Sequence, residues 1–279
     1  MKKLLSIAIM IILALSMLSA CGPGSSESEQ PTPANRLEKI LAEGKLTIST
    51  SPDYAPFEFI DPSKTGTESY VGSDMLFAHY IAEQLGVELV VEAMDFSAAL
   101  AAVQEGKVDL CISGLAYKAD RAKLMQLTDS YNLGGGQGVM VKTDALESYK
   151  TAEDFDGKLI SAQNGSLQYE NVETQLPNAK IEPVTNLADG IMMLRTGKVD
   201  ALAMSDSSGE QYEENYDDIA MCEFAFKTDS EGNCVAVMNG EKELFDKMNE
   251  IIAQVNEKGL YAGWLEEASN LSAQIAEGE

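Results

Sequence analysis

Two stretches of this chain repeat one another. VQEGKVDLCIS at 103–113 and LRTGKVDALAM at 194–204 share Gly-Lys-Val-Asp and a similar apolar pattern on both sides, ninety-one residues apart. Each follows a run with apolar residues at three- and four-residue steps, FSAALAAVQEG and NLADGIMMLRTG, the spacing of one helix face. In each, glycine closes the helix and a short apolar, β-prone run begins. Helix, glycine and strand, twice over, predict two similar α/β lobes with a parallel strand at each repeat. Ligands of open parallel sheets gather at the carboxyl ends of strands. Those ends are Ser113-Gly114 and Ser205-Asp206.

The remaining segments fit the same plan. KLTIST (45–50), VELVVEA (87–93), KLISAQ (158–163) and AKIEPV (179–184) read as strands. SDMLFAHYIAEQLG (73–86) and SLQYENVETQL (166–176) read as helices, the former with Ser73 at its N-cap. GGGQGVMVK (134–142) and GNCVAVM (232–238) are β-prone with glycine at their starts, and are expected to cross between the lobes. No G-x-G-x-x-G opens a helix there and no G-K-[ST] follows, so a phosphate loop is not expected. KELFDKMNEIIAQVNEKGLYAGWLEEA (242–268) reads as an amphipathic helix followed by a shorter one that returns to the first lobe.

The N-terminus reads as an export signal. Lys2 and Lys3 precede an apolar run from Leu4 to about Leu18, shorter than the roughly 20 residues of a spanning helix. Leu18-Ser19-Ala20-Cys21 follows, and GPGSSESEQPTPAN (22–35) has little to bury and reads as a tether. The chain carries 45 acidic and 20 basic residues, a formal charge of −25; residues 1–20 hold two lysines and no acids, so their removal gives −27. Such a balance excludes nucleic acid and anionic lipid surfaces as partners. Cys111 lies in an apolar run and reads as a buried free thiol. Cys222 and Cys234 lie in two neighbouring β-prone segments, and sequence leaves open whether they pair. No spacing resembles a zinc site, and no metal or other cofactor is expected.

Six stretches then occur together in order: KLTISTSPDYAPFEF, VGSDMLFAHYIAEQLGV, MDFSAALAAVQEGKVDLCISGLAYKADRAK, GKLISAQNGSLQYE, LRTGKVDALAM and EKGLYAGWLEEA. From about Lys45 to Glu267 the chain resembles the extracellular polar-amino-acid-binding proteins of ABC importers, the family 3 solute-binding proteins. Y-A-P-F-E and V-D-x-x-I-S-G-x-x-x-x-x-x-R are the more specific motifs. The resemblance implies a two-lobed periplasmic-binding-protein-like α/β fold (type II), with two crossing strands as its hinge. It divides the chain into a lipoprotein signal peptide (1–20), a lipidated flexible tether (21–35), lobe 1 (36–134 with 236–279) and lobe 2 (135–235). L-S-A-C resembles a lipobox, which makes Cys21 the lipidated first residue of the mature protein. The implied place is the extracellular face of the bacterial cytoplasmic membrane, and the implied partners are a small-molecule ligand, an ABC permease and the membrane through the lipid. A monomer is expected.

The same resemblance assigns the cleft. Arg121 clamps the α-carboxylate of an amino acid, a planar fork of donors meeting two oxygens, assisted by backbone N–H groups near Ser113 and Gly114. Tyr54 and Phe96 sandwich the ligand's side chain. Gly165-Ser166-Leu167-Gln168 opens a helix whose first N–H groups favour the carboxylate again. This chain also departs from the pattern. Ser205 replaces the acid that usually pairs with the α-ammonium, with Asp206 one residue later; Ala116 and Leu167 replace hydroxyl side chains; and Ser51 replaces the Asp of relatives that bind basic amino acids. Nothing obvious then neutralises a cationic side chain, so neutral amino acids, or carboxylates of that shape, are the expected ligands.

Two other classes compete. Small-acid dehydratases resemble this fold, and Glu58 or Asp206 is a candidate acid–base group for such chemistry; the lone histidine, His79, sits within a helix away from the motif loops. A sensory co-receptor signalling through a membrane kinase is the second.

Overall fold

The computed structural model describes residues 33–228 and 230–277. The expected signal peptide, Cys21 and the tether up to residue 32 lie outside the described residues. In chain order the strands are β1 (Lys45–Thr50), β2 (Phe59–Ile60), β3 (Tyr70–Val71), β4 (Glu88–Ala93), β5 (Leu110–Cys111) and β6 (Gln126–Leu127). β7 (Gln137–Lys142), β8 (Leu159–Gln163), β9 (Lys180–Val184), β10 (Ala201–Ser205), β11 (Ile219–Ala225) and β12 (Ala236–Val237) follow. They build one sheet in the order β4-β1-β5-β12-β6, a second in the order β11-β7-β10-β8-β9, and a small β2–β3 hairpin. Within each large sheet three strands run parallel: β4, β1 and β5 in the first, β9, β8 and β10 in the second. β12 in the first and β7 in the second run antiparallel to those neighbours.

The repeat has a direct physical basis. Asp95 and Asn186 cap the helices Phe96–Gln104 and Leu187–Arg195, accepting from the amides of Ala98 and Asp189. Gly106 and Gly197 then turn the chain with φ of 69° and 72°, a region that suits glycine. Asp109 accepts from the Thr47 amide of β1 at 2.8 Å, and Asp200 from the Leu159 amide at the start of β8 at 2.8 Å. Each aspartate therefore pins the start of one parallel strand to the strand beside it, and the Gly-Lys-Val-Asp motif is a register device used in both lobes.

Both sheets bury their two faces. In the first lobe, Leu46, Ile48 and Leu110 pack with Phe77, Ile81 and Met248 from the helices Ser73–Leu85 and Lys242–Lys258. Cys111 and Ala236 meet helix Phe96–Gln104 on the other face. In the second lobe Val139, Ile160 and Ala203 pack with Phe155 and Val172, while Met140, Leu202 and Met204 pack with Leu187, Ile191 and Leu194.

Several expectations shift. Gly72, not Ser73, is the N-cap of its helix; Ser73 is buried in the first turn and its Oγ lies 2.9 Å from the Tyr261 hydroxyl. The second C-terminal helix, Leu260–Glu277, is no shorter than the first: it has 18 residues against 17. The two β-prone glycine-led segments supply inner strands, β7 and β12, so the passages between lobes lie just before each. Those passages touch one another where Asn132 bridges Asn233. Cys111, Cys222 and Cys234 are free thiols, Cys222 in the second sheet and Cys234 in the core of the first lobe.

Asp109 is 8% exposed and also faces Arg36 at 3.4 Å, whereas Asp200 is exposed. Asp109→Ala is expected to lower stability by about 1–3 kcal/mol, and Asp200→Ala by less, as read from urea-denaturation midpoints. Equal losses would contradict this account of the repeat.

Candidate functional site

The parallel strands of both sheets point their carboxyl ends at one cleft. From the first lobe Tyr54, Phe96, Ser113, Gly114, Ala116 and Arg121 line its cavity; from the second come Ser166, Leu167, Gln168 and Ser205. Ten of the sequence-derived positions are thus brought together. The eleventh, Asp206, is not. Its carboxylate lies against Gly136, where an added Cβ would stand 2.1 Å from Oδ2, and near Gly138. The glycine-rich run before β7 gives that side chain room, and Asp206 faces the connecting strand rather than the cavity.

Local structure explains each placement. β5 ends at Cys111, and Gly114 follows with φ of 49°, its Cα so near the Tyr54 ring that a Cβ would stand 2.9 Å from Cδ1. Ser166 is the N-cap of helix Leu167–Gln175, its Oγ accepting from the Tyr169 amide at 3.0 Å. The amides of Leu167 and Gln168 belong to the first turn and have no partner within their own helix, so they present donors and the positive end of the helix dipole to the cavity.

Arg121 dominates the electrostatics. Its residue is 7% exposed; one terminal nitrogen donates to the Ala116 carbonyl at 2.6 Å and the other to the Gly165 carbonyl of the second lobe at 3.0 Å. The guanidinium lies 5.7 Å from the centre of the Phe96 ring. Burial pushes its pKa down, yet a guanidinium stays charged at any ordinary pH. Among the described residues it forms no ion pair with a carboxylate. Two carbonyl oxygens hold the group in place without neutralising it, and three of its five N–H groups remain for an anion.

Sequence reasoning missed an acid in the lining. Asp53 accepts from Ser51 Oγ at 2.8 Å, from Gln163 Nε2 at 3.0 Å and from the Leu187 amide at 2.7 Å. The last two donors belong to the second lobe, so this carboxylate joins the lobes as well as facing the cavity. Burial raises its pKa, opposed by those hydrogen bonds. Asp53, two residues on from Ser51, is thus a carboxylate in the lining that the expectation of nothing ready for a cationic side chain did not take into account. Gln163 could have been found, since it ends a parallel strand. Gln137 and Asn233, also in the lining, sit on or beside the connecting strands, whose paths no local pattern specifies.

Further contacts close the cleft. The Tyr54 hydroxyl accepts from Gln168 Nε2 at 3.2 Å and from the Ser205 amide at 3.3 Å. Ser97 Oγ donates to the Asn164 carbonyl at 3.0 Å, and Lys118 pairs with Glu170.

Comparison with known proteins agrees with this geometry. Residues 46–267 match the model of the bacterial extracellular solute-binding proteins, family 3, and the chain belongs to that family. It is similar to the arginine-binding extracellular protein ArtP of Bacillus subtilis, 28% identical over 261 residues that cover 93% of this chain and 94% of that one. Among solved structures it resembles the amino acid ABC transporter substrate-binding protein AbpA of Streptococcus pneumoniae bound to L-arginine. That likeness has a TM-score of 0.80 at 32% identity and covers 85% of this chain and 99% of that one. An ancestral amino-acid-binding protein, described as a precursor of cyclohexadienyl dehydratase, gives a TM-score of 0.74 at 27% identity, over 84% and 99% of the two chains.

Removing the interlobe acceptor is expected to loosen closure. Asp53→Ala should weaken amino-acid binding about tenfold or more and enlarge the radius of gyration of the ligand-saturated protein in small-angle scattering. Asp206→Asn should leave affinity within about twofold, because its carboxylate is turned away. The reverse ranking of the two variants would overturn this description of the cleft.

Proposed function

We propose that this family 3 solute-binding protein captures an amino acid by its α-carboxylate in the interlobe cleft and delivers it to the permease of an ABC importer. One observation carries the reading: among the described residues, the buried guanidinium of Arg121, held by two carbonyls, meets no carboxylate. An α-carboxylate supplies the missing charge in a bidentate geometry, flanked by the Ser113–Gly114 turn and the first turn of helix Leu167–Gln175. In low dielectric such a pair contributes far more than a surface ion pair. Tyr54 and Phe96 enclose the ligand's side chain. Asp53 and Ser51 extend the range of ligands to cationic side chains, in keeping with the relatives named for arginine.

Ligand binding favours the closed arrangement by contacting both lobes at once. Lobe 1 comprises 36–134 with 236–279, and lobe 2 comprises 135–235, rotating about the strands that join them. Lipid on Cys21 holds a monomer at the outer face of the cytoplasmic membrane, where captured solute stays near the permease. The protein works without a cofactor and without catalysis. A carboxylate acid–base site would have to use Asp206 or Glu58; Asp206 turns away from the cavity, and Glu58, although in the lining, is 1% exposed and tied to Ser113 Oγ.

Arg121→Ala tests this reading. Isothermal titration with the best ligand from a panel of amino acids and small carboxylic acids should show affinity reduced at least about 100-fold. The thermal midpoint of the ligand-free variant should match or exceed the wild type, because an uncompensated buried charge has been removed. Unchanged affinity in this variant would sink the carboxylate clamp.

A further inference from the structure

Against the Ser113–Gly114 turn lie two carboxyl groups to which the binding reading gives no role, Glu58 in the cavity lining and Asp74 outside it. Glu58 and Asp74 are 1% and 0% exposed and stand within hydrogen-bonding reach of each other. Neither forms an ion pair among the described residues. The groups that face them are the Asp53 carboxylate and the phenols of Tyr54, Tyr131 and Tyr261. None of these brings positive charge.

Their hydrogen bonds are unequal. Asp74 accepts from the Gly114 amide at 2.7 Å, from the Tyr131 hydroxyl at 2.8 Å and from the Tyr261 hydroxyl at 2.5 Å. Three donors suit an ionised carboxylate. Glu58 Oε1 accepts only from Ser113 Oγ at 2.9 Å, and that hydroxyl in turn accepts from the Ser51 amide at 2.9 Å. Glu58 Oε2 is buried with no donor among the described residues. A bare carboxylate oxygen enclosed beside a second carboxylate combines desolvation with like-charge repulsion. One proton on Oε2, donated toward Asp74, relieves both.

We propose that Glu58 and Asp74 share a single proton at neutral pH, and that this pair positions the Ser113–Gly114 turn to receive a ligand carboxylate. The turn's assignment to a carboxylate rests on the binding reading above; the shared proton does not. Asp74 holds the Gly114 amide and Glu58 holds the Ser113 hydroxyl, so the pair grips both residues of the turn. Burial and the neighbouring Asp74 hold the Glu58 carboxyl well above its usual range. For a group raised in the folded state, the stabilisation is complete below its unfolded value and disappears as pH rises through the folded value. Alkaline pH therefore places two charges under the turn and releases it.

The test uses ligand-free protein throughout. Infrared difference spectroscopy at neutral pH should show a protonated carboxyl band that is lost in Glu58→Gln. On alkaline titration, the Gly114 amide resonance of the wild type should shift with the same midpoint as the loss of that band. The thermal midpoint should fall by several degrees as pH rises from the ordinary carboxyl range through that midpoint, and level off beyond it. In Glu58→Gln the Gly114 resonance should hold still and the thermal loss should shrink by at least half. No carboxyl band at neutral pH, or a Gly114 resonance that ignores its loss, would overturn the proposal. If the variant fails to fold, the wild-type band and titration decide alone. Failure of every amino acid to bind would count against the function and leave these readouts intact.

Discussion

A guanidinium enclosed by protein, fixed by carbonyls and left without a counter-charge among the described residues, sets the terms for the rest of this molecule. Moving a charge out of water is costly unless something answers it. Here the two carbonyls that orient Arg121 come from Ala116 and from Gly165, so the group is assembled only where the lobes meet. The same junction brings the Ser113–Gly114 turn opposite the first turn of helix Leu167–Gln175. Donors of three kinds then converge on one space: a side-chain fork, a turn and a helix terminus. An anion bound there touches both lobes, which couples occupancy to closure.

The second organising device is the acid that follows each helix–glycine turn. Asp109 and Asp200 tie the starts of β5 and β10 to β1 and β8 beside them, and so fix where β5 and β10 end. Ser113 and Ser205 reach the cleft because the register upstream is pinned. Asp53 adds a bond between lobes on a path separate from Arg121, through Gln163 and the Leu187 amide. Closure is thus held at two places: the carboxylate end and the Ser51–Asp53 end.

Much of this was legible in the chain. Helical periodicity, glycine stops and β-prone runs marked most of the elements, and the repeat marked the two lobes, because local pattern and global fold agree there. The positions of Tyr54, Arg121 and Ser166 followed from motif resemblance. Whether Asp206 reaches the cavity was open in the sequence because a one-residue step from β10 into a helix redirects a side chain, and only the packing beside Gly136 shows which way it turns. Asp53 was overlooked because its value lies in partners 110 and 134 residues away, beyond any local window. The Glu58–Asp74 pair was hidden for the same reason, since one residue closes a loop and the other opens a helix.

The central claim is that Arg121 meets a ligand's α-carboxylate. It is tested most directly by titrating wild-type protein and Arg121→Ala with the best amino-acid ligand and with its α-carboxamide. The wild type should bind the amide about 100-fold more weakly than the acid or worse, and the variant should scarcely distinguish the two. Wild-type protein that binds acid and amide equally would contradict the account.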